Sequence, residues 1–315
     1  MSKQRKLSYL FSILWVAILF AAIMGAVATG VINSYYSGIL VLIGINIILA
    51  VSLNLVTGFL GQLVLGHAGF MSVGAYSAAL FTMHAGLPIS VAFPLGLIFG
   101  GLVAAIFGVI IGVPALRLRG DYLAIITLGF GEIIRVLVLA VDFTGGAAGL
   151  TGIPYIEGKY TLIIYTFFIA FLTVVAILAF IRSRHGRAVI AIREDEIAAE
   201  ASGINTTYYK LLAFVVAAFF AGVAGGIYAH YIGVLDPSKF DFNYSVEILI
   251  MVVLGGMGSI TGSVCSATVL TLLPEMLRSF ADKRMLIYSL VLIIVMLFKP
   301  CLLYTSPSPR DVEES

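Results

Sequence analysis

Charge is scarce in this chain: Asp, Glu, Lys and Arg make up 11% of its 315 residues, where soluble domains carry about 25%. Cysteine is scarcer, with only Cys265 and Cys301, so neither a disulfide framework nor a cysteine metal site is expected. The net charge of +2 is too small and too dispersed for a nucleic-acid surface. No nucleophile–base pair or metal-ligand set lies in the apolar stretches, which disfavours an intramembrane enzyme and leaves no cofactor to expect. What fills the chain instead is apolar: 61% of it is hydrophobic. Runs of roughly 20 such residues match the length that crosses about 30 Å of hydrocarbon as helix. A β-barrel would show shorter alternating segments. The expected class is an all-α, polytopic helical membrane protein.

Hydropathy and breakers suggest about ten spans: 7–30, 38–56, 68–84, 89–114, 121–141, 160–181, 211–233, 245–257, 262–279 and 284–298. The first is too long for a signal-peptide core and reads as a retained helix. An N-terminus inside collects eleven Lys and Arg on the cytoplasmic side, Arg117, Arg193 and Lys210 among them, against five outside. That asymmetry satisfies the positive-inside rule. The nearest approach to a phosphate loop, Gly152 to Tyr160, has one residue too many between its glycines and Tyr160 where Ser or Thr belongs. It also falls on the expected outer face, so any ATP must be used by another subunit.

Glycine, at 33 residues, recurs four apart at Gly96/Gly100, Gly108/Gly112, Gly222/Gly226 and Gly258/Gly262. Small residues at that spacing let helix backbones approach closely; packing within the chain is favoured here over a dimer seam. Two Gly-rich stretches, Thr57 to Gly69 and Leu254 to Ser259, read as broken segments rather than plain spans. Irregular backbone at membrane depth survives only where protein or a watery cavity satisfies it. Leu65-Gly66-x-x-Gly69 and Leu254-Gly255-x-x-Gly258 look alike, although five residues in a Gly/Leu-rich chain match readily by chance.

Polar residues inside the spans are candidates for a translocation path: Asn46, Asn54, His67, Glu132 and Arg135. Set against that, Glu132 and Arg135 are three apart and can pair on one helix face. Helix–helix hydrogen bonding is the plainer role for Asn46, Asn54 and His67. His230 is expected at an outer helix end as an interfacial residue, and Glu247 and Glu275 near ends that water reaches.

The outstanding feature is a charged island, 182–210, between two apolar spans. Read as one helix, it places Val189, Ile192, Ile197 and Ala201 at spacings of three to five, with Arg193, Glu194, Asp195, Glu196 and Glu200 around them and Gly203 as its C-terminal stop. A solvated loop would suit the charge but has no need of Ala198-Ala199 and Ala201-Ser202-Gly203. Small residues suit close approach to a soluble partner.

Ile197-Ala198-Ala199-Glu200-Ala201-Ser202-Gly203 resembles the Glu-Ala-Ala-x-x-x-Gly loop of ABC importer permeases, with Ile197 where Glu is usual. The Ile-x-Leu-Pro continuation is absent, which argues against the maltose-like subgroup. Further stretches resemble LivM-type permeases of branched-chain amino acid importers: Asn54 to Gly58, Gly61 to Tyr76, Gly120 to Phe130, Gly145 to Gly152, Ala191 to Asp195 and Gly255 to Ser259. They span about 7–300. The resemblance implies an ABC importer permease fold over 1–300, with 182–210 as a cytoplasmic coupling loop, in the inner membrane of a prokaryote. It implies four partners besides lipid: a homologous LivH-type permease, two cytoplasmic ATPase subunits and an extracytoplasmic substrate-binding protein. Arg193, Glu194, Asp195, Ala198, Ala199, Glu200 and Gly203 would then face an ATPase. Topology offers 142–159 and 236–244 to the binding protein.

After Lys299-Pro300 the string Cys301 to Asp311 resembles an in-frame translation of a sequencing-library adapter, so 301–315 is expected to be non-native. Resequencing the source gene across codon 300 tests this. Two other functions compete: the same machine with a different small solute such as urea, an amide or a sugar, and a stand-alone ion-coupled transporter. The latter needs an intramembrane carboxylate, for which Glu132 is the candidate.

Overall fold

A computed structural model describes residues 34–118, 120–156 and 161–276 of the chain. The expected spans 7–30 and 284–298 and the tail 301–315 lie outside the described residues. Those described form ten α-helices: α1 (Ser34–Asn54), α2 (His67–His84), α3 (Ile89–Ala115), α4 (Asp121–Ala140), α5 (Thr161–Arg182), α6 (Arg184–Glu194), α7 (Glu196–Ala201), α8 (Thr206–Ile232), α9 (Phe242–Gly255) and α10 (Ile260–Met276). Five helical stretches, 35–59, 89–115, 122–140, 161–182 and 206–232, are long and apolar enough to cross a membrane. This is a multi-pass, all-α membrane protein.

α1 is apolar around its whole circumference, and such a helix belongs inside a bundle. From Val41 to Leu53 nearly every side chain is buried. It packs against α5, α8, α9 and α10. The tightest packing is among α2, α3 and α8. A Cβ on Gly74 of α2 would collide with the backbone of Gly222 of α8, and one on Gly100 of α3 would come within 2.6 Å of the Gly74 carbonyl. Gly108, Gly112 and Gly226 likewise meet α3 or α8 side chains at 2.6–2.9 Å. The four-apart glycines therefore close seams within the chain, as favoured from sequence.

α4 is the most peripheral of the long helices; it exposes Ile133, Val136 and Leu137. α3 exposes a stripe at Leu95, Ile98, Leu102, Ile106 and Val109 that carries no polar residue.

Each long helix keeps the expected bounds within a few residues except α8, which starts at Thr206 rather than 211. Asn205 caps it by accepting from the Tyr208 amide at 3.1 Å, so Lys210 lies in its first turns. Lys210 is buried and bonded to Glu196 at 2.7 Å, which is why a charge there does not mark the helix end.

Candidate functional site

The charged island is not one helix. Gly186 folds α6 back against α5 so tightly that a Cβ there would strike the Ile181 backbone. Ser183 caps α6 by accepting from the amides of His185 and Gly186. At Asp195 the backbone leaves the helix with φ −158° and ψ 111°, and its carboxylate accepts from the amides of Ile197 and Ala198 at 2.9 and 3.0 Å to start α7. Gly203, at φ +81°, ends α7 in the left-handed conformation that glycine tolerates.

The break sorts the residues differently from the expected single amphipathic face. Val189 and Ile192 on α6 are buried, whereas Ile197 on α7 is 74% exposed. Ala199 is 4% exposed and packs inward, so it is not at the surface where the resemblance placed it. Arg193 also turns inward. Glu194, Asp195, Ala198, Glu200 and Gly203 stay exposed. Two bonds strap α7 to α8: Lys210 Nζ to Glu196 Oε1, and Thr206 Oγ1 to Glu200 Oε1, both 2.7 Å. The result is a short, held helix presenting Ile197 and Ala198, with the exposed ring of Tyr208 on the next helix. Sequence reading put Ile197 on one apolar face with the buried Val189 and Ile192, and missed Tyr208.

The two broken segments meet at this same end of the bundle. α1 runs into a π-helical turn, Leu55–Phe59, then irregular chain to His67. Its amides are satisfied locally by Leu60 N to Leu55 O and Gln62 N to Val56 O. Asn54 ties the turn to the break between α9 and α10. Its Oδ1 accepts from the Gly258 amide at 2.8 Å, and its Nδ2 donates to Ser259 O at 3.0 Å and Ser263 Oγ at 2.9 Å. Gly58, not Gly66, lies against Gly258; Gly66 abuts the Thr127 carbonyl instead. The two Leu-Gly-x-x-Gly copies thus have unlike surroundings. Arg193 Nη1 donates to Gly58 O at 2.8 Å, so the island's own arginine reaches this junction.

The other candidate path residues divide in two. Asn46 donates to Thr271 Oγ1 at 2.8 Å and accepts from Tyr244 Oη at 3.4 Å; His67 Nε2 is 2.9 Å from Ser52 Oγ. With Asn54, these are buried and bonded between helices of this chain. Glu132 and Arg135 pair at 2.7 Å, half-buried beside the exposed stripe of α4. His230 corrects the expectation of an interfacial residue: it is 2% exposed and bonded to Thr82 Oγ1 and Gly226 O.

At the opposite end, Leu150 and Leu235 form an antiparallel bridge with both bonds at 3.0 Å. It joins the loops after α4 and after α8, and Phe143 and Tyr155 project from the first of these, each about 70% exposed. Asp236 accepts from Ser238 Oγ and the Ser238 amide, which hold its carboxyl below the usual carboxylate range.

The family described as branched-chain amino acid transport system, permease component, matches residues 35–299. The high-affinity branched-chain amino acid transport system permease protein LivM of Salmonella typhimurium is 39% identical over 287 residues, covering 81% of this chain and 67% of that protein. LivH of Escherichia coli is 32% identical over 147 residues, 46% of this chain and 47% of that one. The nucleoside ABC transporter permease protein NupC of Lactococcus lactis is 30% identical over 190 residues, 54% of this chain and 59% of that one. The bundle closes on glycine seams, with a capped polar island at one end and broken helices beside it, and the chain belongs to the branched-chain amino acid transport system permease family.

Proposed function

We propose that this chain is the LivM-type subunit of an ATP-driven importer for branched-chain amino acids, working by alternating access in the cytoplasmic membrane of a prokaryote, with about ten spans in an ABC importer permease fold. A LivH-type permease completes the path, two cytoplasmic ATPases dock on the island, and a binding protein delivers solute to the opposite face. The observation that carries the reading is α7: a one-and-a-half-turn helix clamped at both ends to its own chain, yet presenting Ile197 and Ala198 outward. Ile197 is 74% exposed on a helix held in place on both sides, and Tyr208 is exposed on the helix that follows. A groove in a soluble partner gives them somewhere to go. ATP hydrolysis falls to the docked subunits.

The sister permease is assigned to the α4 face. A charged pair in a span is costly against lipid, and Glu132 and Arg135 flank the exposed α4 stripe, whereas the α3 stripe is wholly apolar. The bridged loops carrying Phe143 and Tyr155 are the surface for the binding protein. Glu132, which an ion-coupled transporter would need free, is already bonded to Arg135.

Uptake into proteoliposomes tests the reading. They would hold this chain, its sister permease and the ATPases, with binding protein outside and ATP or ADP inside. Leucine uptake only with ATP and binding protein is expected. Uptake of a nucleoside but not leucine would shift the cargo toward that named for the Lactococcus relative. Uptake that follows an ion gradient without binding protein would sink the importer reading.

A further inference from the structure

We propose that Arg193 is a positioning residue that transmits movement of the docking helix to the junction of the two broken segments. The proposal rests on the reading that an ATPase docks on α7. Arg193 is the penultimate residue of α6, immediately before the Asp195 break. Displacement of α7 acts on that end of α6 through the chain at Asp195, as it acts on α8 through the Lys210 and Thr206 bonds.

From there the side chain crosses to residues 135 positions earlier in the chain. Nη1 donates to the Gly58 carbonyl at 2.8 Å, inside the π-helical turn. The aliphatic stem lies where a Cβ on Gly61 would sit 3.1 Å from it, and Nη1 lies 3.1 Å from where a Cβ on Gly258 would be. Both glycines have positive φ, +75° and +83°, so each satisfies a backbone demand and a space demand at once. Gly258 in turn donates its amide to Asn54. One guanidinium therefore touches both broken segments, and Asn54 makes them a single unit.

Two further observations mark that unit as one able to change state. The π-helical turn holds a residue more per turn than an α-helix and is uncommon except as a local bulge, often at functional sites. Within it the Thr57 hydroxyl is buried with no hydrogen-bond partner among the described residues, a cost a second arrangement could relieve. A surface anchor would not need a cation inserted between two glycines; an apolar contact on the rim would hold the island as well. Arg193 is thus withdrawn from the ATPase-docking set and placed one step behind it.

The test uses the whole importer in proteoliposomes, with Arg193→Met and Arg193→Lys beside the parent chain. Three quantities are read: ATPase retained per permease, ATP hydrolysed, and solute taken up. For Arg193→Met the ATPase stays bound and hydrolysis continues, while uptake per ATP falls about tenfold, the scale of one lost charge-assisted hydrogen bond expressed as coupling. Arg193→Lys, which keeps a donor for Gly58, recovers most of the coupling. Loss of the ATPase from the complex would return Arg193 to the docking surface and overturn the proposal. Unchanged uptake per ATP would reduce it to an anchor. If the methionine variant fails to accumulate in the membrane, Arg193→Gln takes its place with the same readouts; failure of both to accumulate also overturns the proposal in favour of a folding role. The underlying docking reading fails separately, through retention of the ATPase by an Ile197→Asp chain.

Discussion

Asn54 holds three partners at the α9–α10 break with one amide group. Each is buried or half-buried, so truncation leaves the Gly258 amide without its acceptor and Ser263 Oγ without one of its donors, while the Ser259 carbonyl keeps the Ser263 amide. Asn54→Ala is expected to cost about 2 kcal/mol, a value set by the penalty for orphaned polar groups and moderated by the modest worth of interhelical bonds in membranes. Denaturant titration in detergent reads it directly. Asn54→Asp keeps the acceptor for Gly258 but loses both donated bonds, and should fall at least as far because it also buries charge. A role for Asn54 in the path alone would leave stability untouched and reduce only uptake. Glu132 and Arg135 call for the opposite design. Removing one leaves the other unpaired in a span; removing both leaves neither charge. Glu132→Gln and Arg135→Gln are each expected to lower thermal stability in detergent, and the double variant to regain most of the loss. Losses that simply add in the double variant would mean that the two charges do not answer to each other.

The elements divide into those held by shape and those held by polar clasps, and the division decides what substitution does. At the α2–α3–α8 seam, Gly222 has the Ala104 Cβ at 2.5 Å and the Gly100 carbonyl at 2.8 Å from where its own Cβ would be. Gly222→Val must separate the helices and should cost about 3 kcal/mol, the upper range for overpacking; denaturant midpoint and yield would report it. At the island, Ile197→Asp touches no internal packing, so the chain should remain in the membrane and lose the co-purifying ATPase. Ala199, by contrast, is buried, and Ala199→Arg would damage the fold before it reported on docking. Helix extents were legible in the sequence because apolar run lengths and their Gly, Pro and charged boundaries are local signals; α3 at 89–114 was expected and Ile89–Ala115 is found. The glycine seams were legible for the same reason. The Asp195 break was not: an aspartate among helix-forming residues reads as helix interior until its carboxylate is seen capping α7. Nor was the contact of Arg193 with Gly58, which depends on how remote segments fold together. Family resemblance grouped Arg193 and Ala199 with the residues expected to face an ATPase, but only packing tells which residues of that group face out.

Across the whole molecule, the outward faces of α3 and α4 carry different chemistry, and that difference is what a partner or the lipid would meet. α3 offers Leu95, Ile98, Leu102 and Ile106, which suit acyl chains. α4 offers Ile133, Val136 and Leu137 beside a half-buried ion pair, which suits another protein better than lipid. α7 and the broken-segment junction lie at one end, the bridged loops at the other, so a sister permease on α4 would run alongside a line joining the two. Single-cysteine cross-linking checks this arrangement. Cys265 is exposed and reactive in principle, so it and Cys301 must first be replaced by serine. Val136→Cys is then expected to form a cross-link to the sister permease in intact membranes, while Ile106→Cys is expected to react only with lipid-soluble reagents. The reverse pattern would move the subunit interface to α3 and leave the Glu132–Arg135 pair facing lipid. That position is one a charged pair occupies only at a cost, and it would require the pair to be neutral or hydrated from the membrane surface. The cross-link therefore decides the partner face and the meaning of the ion pair in one experiment.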